Sequence, residues 1–322
     1  MLLLKTLLSL IFLTLSAVDA TSSTHFQDSE EGALRFATKT KLDLGDGRTL
    51  SDRDRARARS LINRHGGTSI SITNTLYSYS AQVGVGDPLH NCMSICYYRK
   101  HGNSLVADTL LVDSGSANTW VGANQSRPYV RTKTSVDTGN TFVRVQCPSC
   151  RMHQIRTWSK KMFYSADVSG EEYLDTVTLS PHLVIKNQSI GAATWTNGSF
   201  EGLDGILGIG PTDLTSGSVN NTALAPTVMD NLYSQGKISE KVFGIYLIPS
   251  SEPDSNGELT FGGYDRRVIT SRVDYVPLTN AGTARRYWGV NQSVSYGDHT
   301  ILSKAAGVID TGTTCILFAT GE

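Results

Sequence analysis

The chain is short of net charge: 29 Lys and Arg stand against 29 Asp and Glu over 322 residues. A balanced chain with no basic stripe interleaved with aromatics gives a polyanion nothing to grip, which excludes nucleic-acid binding. Beyond the first twenty residues, no apolar run reaches the ~18 residues that read as a membrane-spanning helix. Long helical periodicities are scarce while Gly is abundant, 30 in all, and this leans towards an all-β protein. No Gly-x-Ser-x-Gly occurs, and His153 and Cys147 stand in no supporting pattern, which argues against a serine or cysteine hydrolase.

What is present begins with "MLLLKTLLSLIFLTLSAVDA". Lys5 is the positive flank, Leu7 to Val18 the apolar stretch, and Val18 and Ala20 suit cleavage positions, so residues 1–20 read as a secretory signal peptide. The expected location is therefore secreted and extracellular, with no membrane attachment after cleavage. Sequons begin at Asn124, Asn187, Asn197, Asn220 and Asn291, and in a secreted protein some of them would carry surface glycans. Residues 21–72 are expected to be a pro-segment. Within them "RTLSDRDRARARSLINRH" sets six Arg against two Asp. Its cations could lie in an acidic cleft until removal, or the segment could be a solvated linker; the pro-segment is preferred because it follows a signal peptide and precedes a β-rich body.

The body alternates as strands do. "SISITNTLYSYSAQVGVG", "DTVTLSPHLVI" and "GELTFGGYD" all show the pattern, with Gly84 and Gly86 as turn signals. One segment reads as helix, "APTVMDNLYSQGKIS". Pro226 suits its first position, Val228, Met229 and Leu232 share a face, and Gly236 suits the residue past its end.

The most informative feature is an internal echo. "LLVDSGSANTW" is answered by "GVIDTGTTCIL", each running apolar, apolar, Asp, hydroxyl residue, Gly, hydroxyl residue. Asp113 and Asp310 lie 197 positions apart, a plausible lobe-to-lobe distance. A third match, "VDTG" at Val136–Gly139, is expected to be a decoy: Ser135 and Asn140 break the pattern, and it follows Asp113 too closely. A carboxylate driven into an apolar strand end is costly unless compensated. Two such loops, related by a pseudo-twofold axis, would place two carboxyls face to face. They cannot both ionise easily, so they share a proton. The charged member can take a proton from water while the protonated member polarises a carbonyl, with no metal, cofactor or covalent intermediate.

These motifs resemble the pepsin-like aspartic proteases, and most closely the secreted fungal, polyporopepsin-like subset. "FEGLDGILGIGP" looks like the strand passing beneath the first active-site loop, and "PTVMDNLYSQGKIS" like the helix that follows. "VFGIYL", "GELTFGGYD" and "YWGV" look like opening strands of a second lobe. The resemblance implies an all-β, bilobal acid-protease fold with an N-terminal lobe over residues 73–238 and a partial second lobe over 239–322. It implies Asp113 and Asp310 as the catalytic dyad, supported by Gly115, Ser116, Gly312 and Thr313. Trp120 matches the Trp that supports the flap. The implied partners are an extended polypeptide substrate in the interlobe cleft and the chain's own pro-segment, in a monomer made as a zymogen.

Three departures qualify the resemblance. Inserts at about 90–104 and 146–162 interrupt the first lobe. The flap has lost its glycines: counting back from Asp175 puts its Tyr at Phe163 or Tyr164, followed by Ser165 and Ala166. Only 12 residues follow Asp310, so the second lobe is expected to be incomplete. Cys92, Cys96, Cys147 and Cys150 fall in the inserts and superficially resemble a zinc site, but an oxidising compartment favours disulfides over zinc. The reading adopted is that these four have no evolved partner and that Cys315 packs as a small hydrophobe. The expected function is a secreted aspartic endopeptidase. The alternative is a catalytically silent member of the fold that binds peptides or proteins.

Overall fold

The computed structural model describes residues 33–36, 67–87, 107–144, 167–198, 200–249, 256–314 and 316–318. The expected signal peptide, most of the expected pro-segment, both inserts, Phe163, Tyr164 and all five cysteines lie outside these residues. The chain divides into two compact units. One holds Gly47–Asp265 with Asp310–Ile316, the other Met1–Asp46, Arg266–Ile309 and Leu317–Glu322.

The larger unit is built on one ten-stranded sheet. In chain order its strands are β2 (Thr68–Asn74), β3 (Tyr79–Val85), β4 (Asp108–Asp113), β5 (Thr119–Val121), β6 (Val136–Arg144), β7 (Asp167–Ser180), β8 (Leu183–Asn197), β9 (Gly205–Gly208), β10 (Phe243–Tyr246) and β11 (Asn256–Phe261). They lie side by side as β10-β11-β2-β3-β4-β9-β5-β8-β7-β6, and β3 also pairs with β7. All pairs are antiparallel except β4–β9 and β5–β8, which are parallel. Alternation drives these strands: in β2, Ile70 and Ile72 face inward while Ser71 and Thr73 are exposed. The two isoleucines meet Leu259 and Phe261 of β11 in one core with Val83, Leu110, Val177 and Leu207. That burial places β10 and β11, which read as opening strands of a second lobe, on the β2 edge of this sheet.

On β7, Tyr173, Val177 and Leu179 face inward, and so does Asp175, which is fully buried. A buried carboxylate needs donors. Asp175 receives Tyr129 Oη and Ser135 Oγ at 2.7 Å and Thr134 Oγ1 at 2.5 Å, which pins the segment before β6 to β7.

The helix α1 spans Val228–Ser234 and buries Val228, Met229 and Leu232 as expected. Its start differs from the Pro226 expectation. Thr227 is the N-cap, in a capping box with Asp230, so Pro226 precedes the helix. The reciprocal side-chain bonds satisfy two end N–H groups, which a proline at the first position does not do. Gly236 takes φ +64 just past the end, where a Cβ would be strained.

In the smaller unit, β1 (Ala33–Phe36) runs antiparallel to β12 (Asp274–Pro277). β13 (Gly289–Tyr296) and β14 (His299–Val308) form a hairpin, with Leu278 bridging to Val290. Val290 and Ala284 are buried, whereas Tyr296, Ile301 and Val308 are exposed.

Candidate active site

β4 delivers the first carboxyl. Leu110, Leu111 and Val112 are each at most 1% exposed, and lying between β3 and β9 they carry Asp113 into the interior at 8% exposure. The turn that follows compensates it. Gly115 N donates to Asp113 Oδ1 at 2.9 Å, and Ser116 Oγ donates to Asp113 Oδ2 through a short bond. Asp310 is held by the same offsets: Gly312 N donates to Oδ1 at 2.8 Å and Thr313 Oγ1 to Oδ2 at 2.6 Å. Both loops belong to the larger unit.

The loops are also tied to each other. Ser114 N donates to Thr311 Oγ1 at 3.1 Å, and Thr311 N donates to Ser114 Oγ at 2.9 Å. Thr311 Oγ1 in turn donates to Val112 O at 2.8 Å. Each Gly packs against the opposite carboxyl. A Cβ on Gly115 would lie 2.6 Å from Asp310 Cγ, and one on Gly312 would lie 2.3 Å from Asp113 Oδ1. Neither distance is tolerable, so only hydrogen at both positions lets the two acids meet.

This proximity has an electrostatic consequence. Burial first, and the neighbouring Asp310 charge second, push the Asp113 carboxyl up to about 7, against the lowering effect of the Ser116 bond. The pair therefore holds a proton far above the usual carboxylate range, and that proton belongs to the pair rather than to one residue.

β9 supports the first loop. Ile209 N donates to Asp113 O at 2.9 Å, Gly210 N to Ser116 O at 2.7 Å and Gly208 N to Asn118 O at 3.2 Å. A family model for eukaryotic aspartyl proteases matches residues 102–322. The chain belongs to the eukaryotic aspartyl protease family. It is 41% identical over 255 residues to polyporopepsin of Irpex lacteus, covering 78% of this chain and 64% of that protein. It is 32% identical over 210 residues to rhizopuspepsin-1 of Rhizopus niveus, covering 59% and 51%. The crystal structure of the aspartic proteinase from Irpex lacteus matches it with a TM-score of 0.63 at 39% identity, over 77% of this chain and 63% of that one. The all-β, pepsin-like fold follows. The chain thus spans just under two thirds of the length of polyporopepsin.

The other residues singled out in the sequence fall in three places. Trp120 on β5 is buried in a separate cluster with Leu111, Phe142 and Leu203, its ring edge-on to Phe200 at 5.0 Å. Phe163 and Tyr164 lie outside the described residues. Asp137, the expected decoy, is exposed on β6 and paired with Arg131. It repeats the local bond, with Gly139 N donating to Asp137 Oδ1 at 2.8 Å. Among the described residues no second aspartate loop meets it, and Thr138 and Asn140 turn to Glu172 instead. The bond from the Gly N–H alone therefore does not distinguish the dyad: Gly139 takes φ +69, unlike Gly115 and Gly312, and what sets the dyad apart is the hydroxyl on each second carboxyl oxygen and the facing loop.

Sequence reasoning missed Ser114 and Thr311. Their signal was available, since a hydroxyl residue directly follows Asp in both copies, but only the cross-loop bonds give it meaning. It also missed Asn118, whose Nδ2 donates to Ser218 Oγ at 2.8 Å, and Thr314, whose Oγ1 donates to Tyr77 O at 2.6 Å.

Proposed function

We propose that the chain is an aspartic endopeptidase that hydrolyses peptide bonds at acid pH through Asp113 and Asp310. The observation that carries this is the pair of cross-bonded loops holding two carboxyls with one elevated proton affinity between them. Water bound between the carboxyls gives its proton to the ionised member and attacks the scissile carbonyl. The protonated member polarises that carbonyl and then supplies the proton the leaving amine needs. Gly115, Ser116, Gly312 and Thr313 fix the carboxyl planes for both steps, and the reaction calls for no cofactor.

The substrate is an extended polypeptide. Residues 1–20 direct secretion, residues 21–72 act as a removable pro-segment, and the product works as an extracellular, glycosylated monomer. Among the described residues no helix is long and apolar enough to cross a membrane.

The test is hydrolysis of a denatured protein at acid pH, with and without a statine-type peptide that mimics the tetrahedral intermediate. Cleavage abolished both by that peptide and by Asp113→Asn is expected. Tight binding of the statine peptide with no cleavage would replace this reading with that of a silent peptide-binding member of the family.

A further inference from the structure

We infer that Asn220 is an N-glycosylation site and that its glycan shields the open edge of the larger sheet. The inference rests on the secretory reading above and adds to it a specific residue and a purpose.

β6 is the last strand of the ten-stranded sheet. An edge strand offers unpaired N–H and C=O groups to any passing chain. Among the described residues this edge is closed only in part. Val143 N donates to Ser218 O at 2.8 Å, and Asn220 N donates to Thr141 O at 3.2 Å. Thr141 N donates to the side-chain Oδ1 of Asn220 at 2.7 Å. Within this patch the Val143 side chain is still exposed, and beyond it Val136 is exposed as well, with Val130 also exposed nearby in sequence.

Asn220 opens the sequon Asn220-Asn221-Thr222 and is exposed. Because a backbone N–H can only meet an acceptor, the Thr141 bond fixes which way the amide lies. Oδ1 faces the strand, and Nδ2 is the amide atom that Thr141 does not engage. Asn187, Asn197 and Asn291 are exposed too and Asn124 is half-buried; what sets Asn220 apart is its place on the β6 edge. In the modification Nδ2 loses one hydrogen as a proton and bonds the anomeric carbon of a pyrophosphate-activated oligosaccharide, and the pyrophosphate leaves with the C–O electron pair. The product keeps the Oδ1 bond to Thr141, so clamp and glycan coexist. The sugar then stands beside the β6 edge.

The test expresses the full chain behind a foreign signal sequence in a eukaryotic secretory host. Cell-associated and released protein are both treated with peptide-N-glycosidase in heavy-oxygen water and mapped by mass spectrometry. Conversion of Asn220 to labelled Asp in most molecules is expected. Thr222→Ala should remove one glycan and raise light scattering several-fold at equal concentration, while leaving Asn220 and its clamp in place. Enzymatic trimming of the folded parent protein should do the same, independently of any variant's folding. Unmodified Asn220 in protein glycosylated elsewhere, or unchanged scattering after loss of the glycan, would overturn the inference. A parallel expression from the chain's own first twenty residues reads secretion separately: retention in the cell there, with Asn220 modified behind the foreign signal, sinks the secretory reading and not the site.

Discussion

Ser114 and Thr311, 197 residues apart, each donate a backbone N–H to the other's hydroxyl. The exchange joins two loops that sequence separates and fixes the spacing of the acids beside them. Thr311→Val removes the hydroxyl that accepts from Ser114 N and donates to Val112 O. Each hydrogen bond contributes about 0.5–1.5 kcal/mol net, so losing these two is expected to cost about 1–3 kcal/mol in urea unfolding. Thr311→Ser keeps the hydroxyl and should stay within ~1 kcal/mol of the parent. Equal stability of Thr311→Val and the parent would mean that the cross-bond holds nothing.

Asp113 makes stability depend on pH in a stated direction. Its folded value, about 7, lies above the ordinary 3.8, so the folded chain holds the proton more tightly than the unfolded one. The resulting stabilisation is complete below pH ~4 and is lost as pH rises through ~7. Asp113→Asn carries no such proton. Relative to the parent it should gain stability between pH 4 and 7, by an amount on the order of a few kcal/mol. Melting temperatures of both proteins across that range check this, and parallel curves would refute it. Hydrolysis should fall over the upper part of the same window as the pair gives up its proton.

Gly312 is a steric requirement and not a conformational one, since its φ is not in the left-handed region. Gly312→Ala should therefore fold, with an unchanged circular dichroism spectrum. The methyl carbon, 2.3 Å from Asp113 Oδ1 in the undisturbed geometry, must push the carboxyls apart. A displacement near 1 Å at reacting groups costs about 100-fold, so kcat/KM should fall by at least that much. A mild loss would show that the two acids need not be so close.

Much of this was legible in the sequence because the driving patterns are local. Ile70 and Ile72 alternate, Val228, Met229 and Leu232 share a helix face, and the doubled Asp-hydroxyl-Gly-hydroxyl motif names both acids before any fold is known. What was not legible depends on long-range pairing. Leu259 and Phe261 look the same whether they open a second lobe or join β2, and only the register on Ile70 and Thr68 decides. Asp137 shares with Asp113 the bond from a Gly N–H two residues on; that no second aspartate loop faces it among the described residues is a property of the fold. The helix begins later than Pro226 suggests, because proline is a strong start signal on its own while the Thr227–Asp230 box is reciprocal and has to be read as a pair.

Asn118 gives the last prediction. Its amide joins the Asp113 loop to Ser218, whose carbonyl holds Val143 of β6. Its Oδ1 is buried with no partner among the described residues, so the side chain contributes one hydrogen bond and carries one unpaired acceptor. Asn118→Ala removes both, and the opposing effects should leave a net cost of about 1 kcal/mol or less. Ser218→Ala leaves the Asn118 amide with neither end paired and should cost more. A double-mutant cycle isolates the bond at about 0.5–1.5 kcal/mol. If Asn118→Ala proved several kcal/mol worse than Ser218→Ala, Oδ1 would have to be receiving a donor, and a buried water bridging it to the loop would be the group to look for.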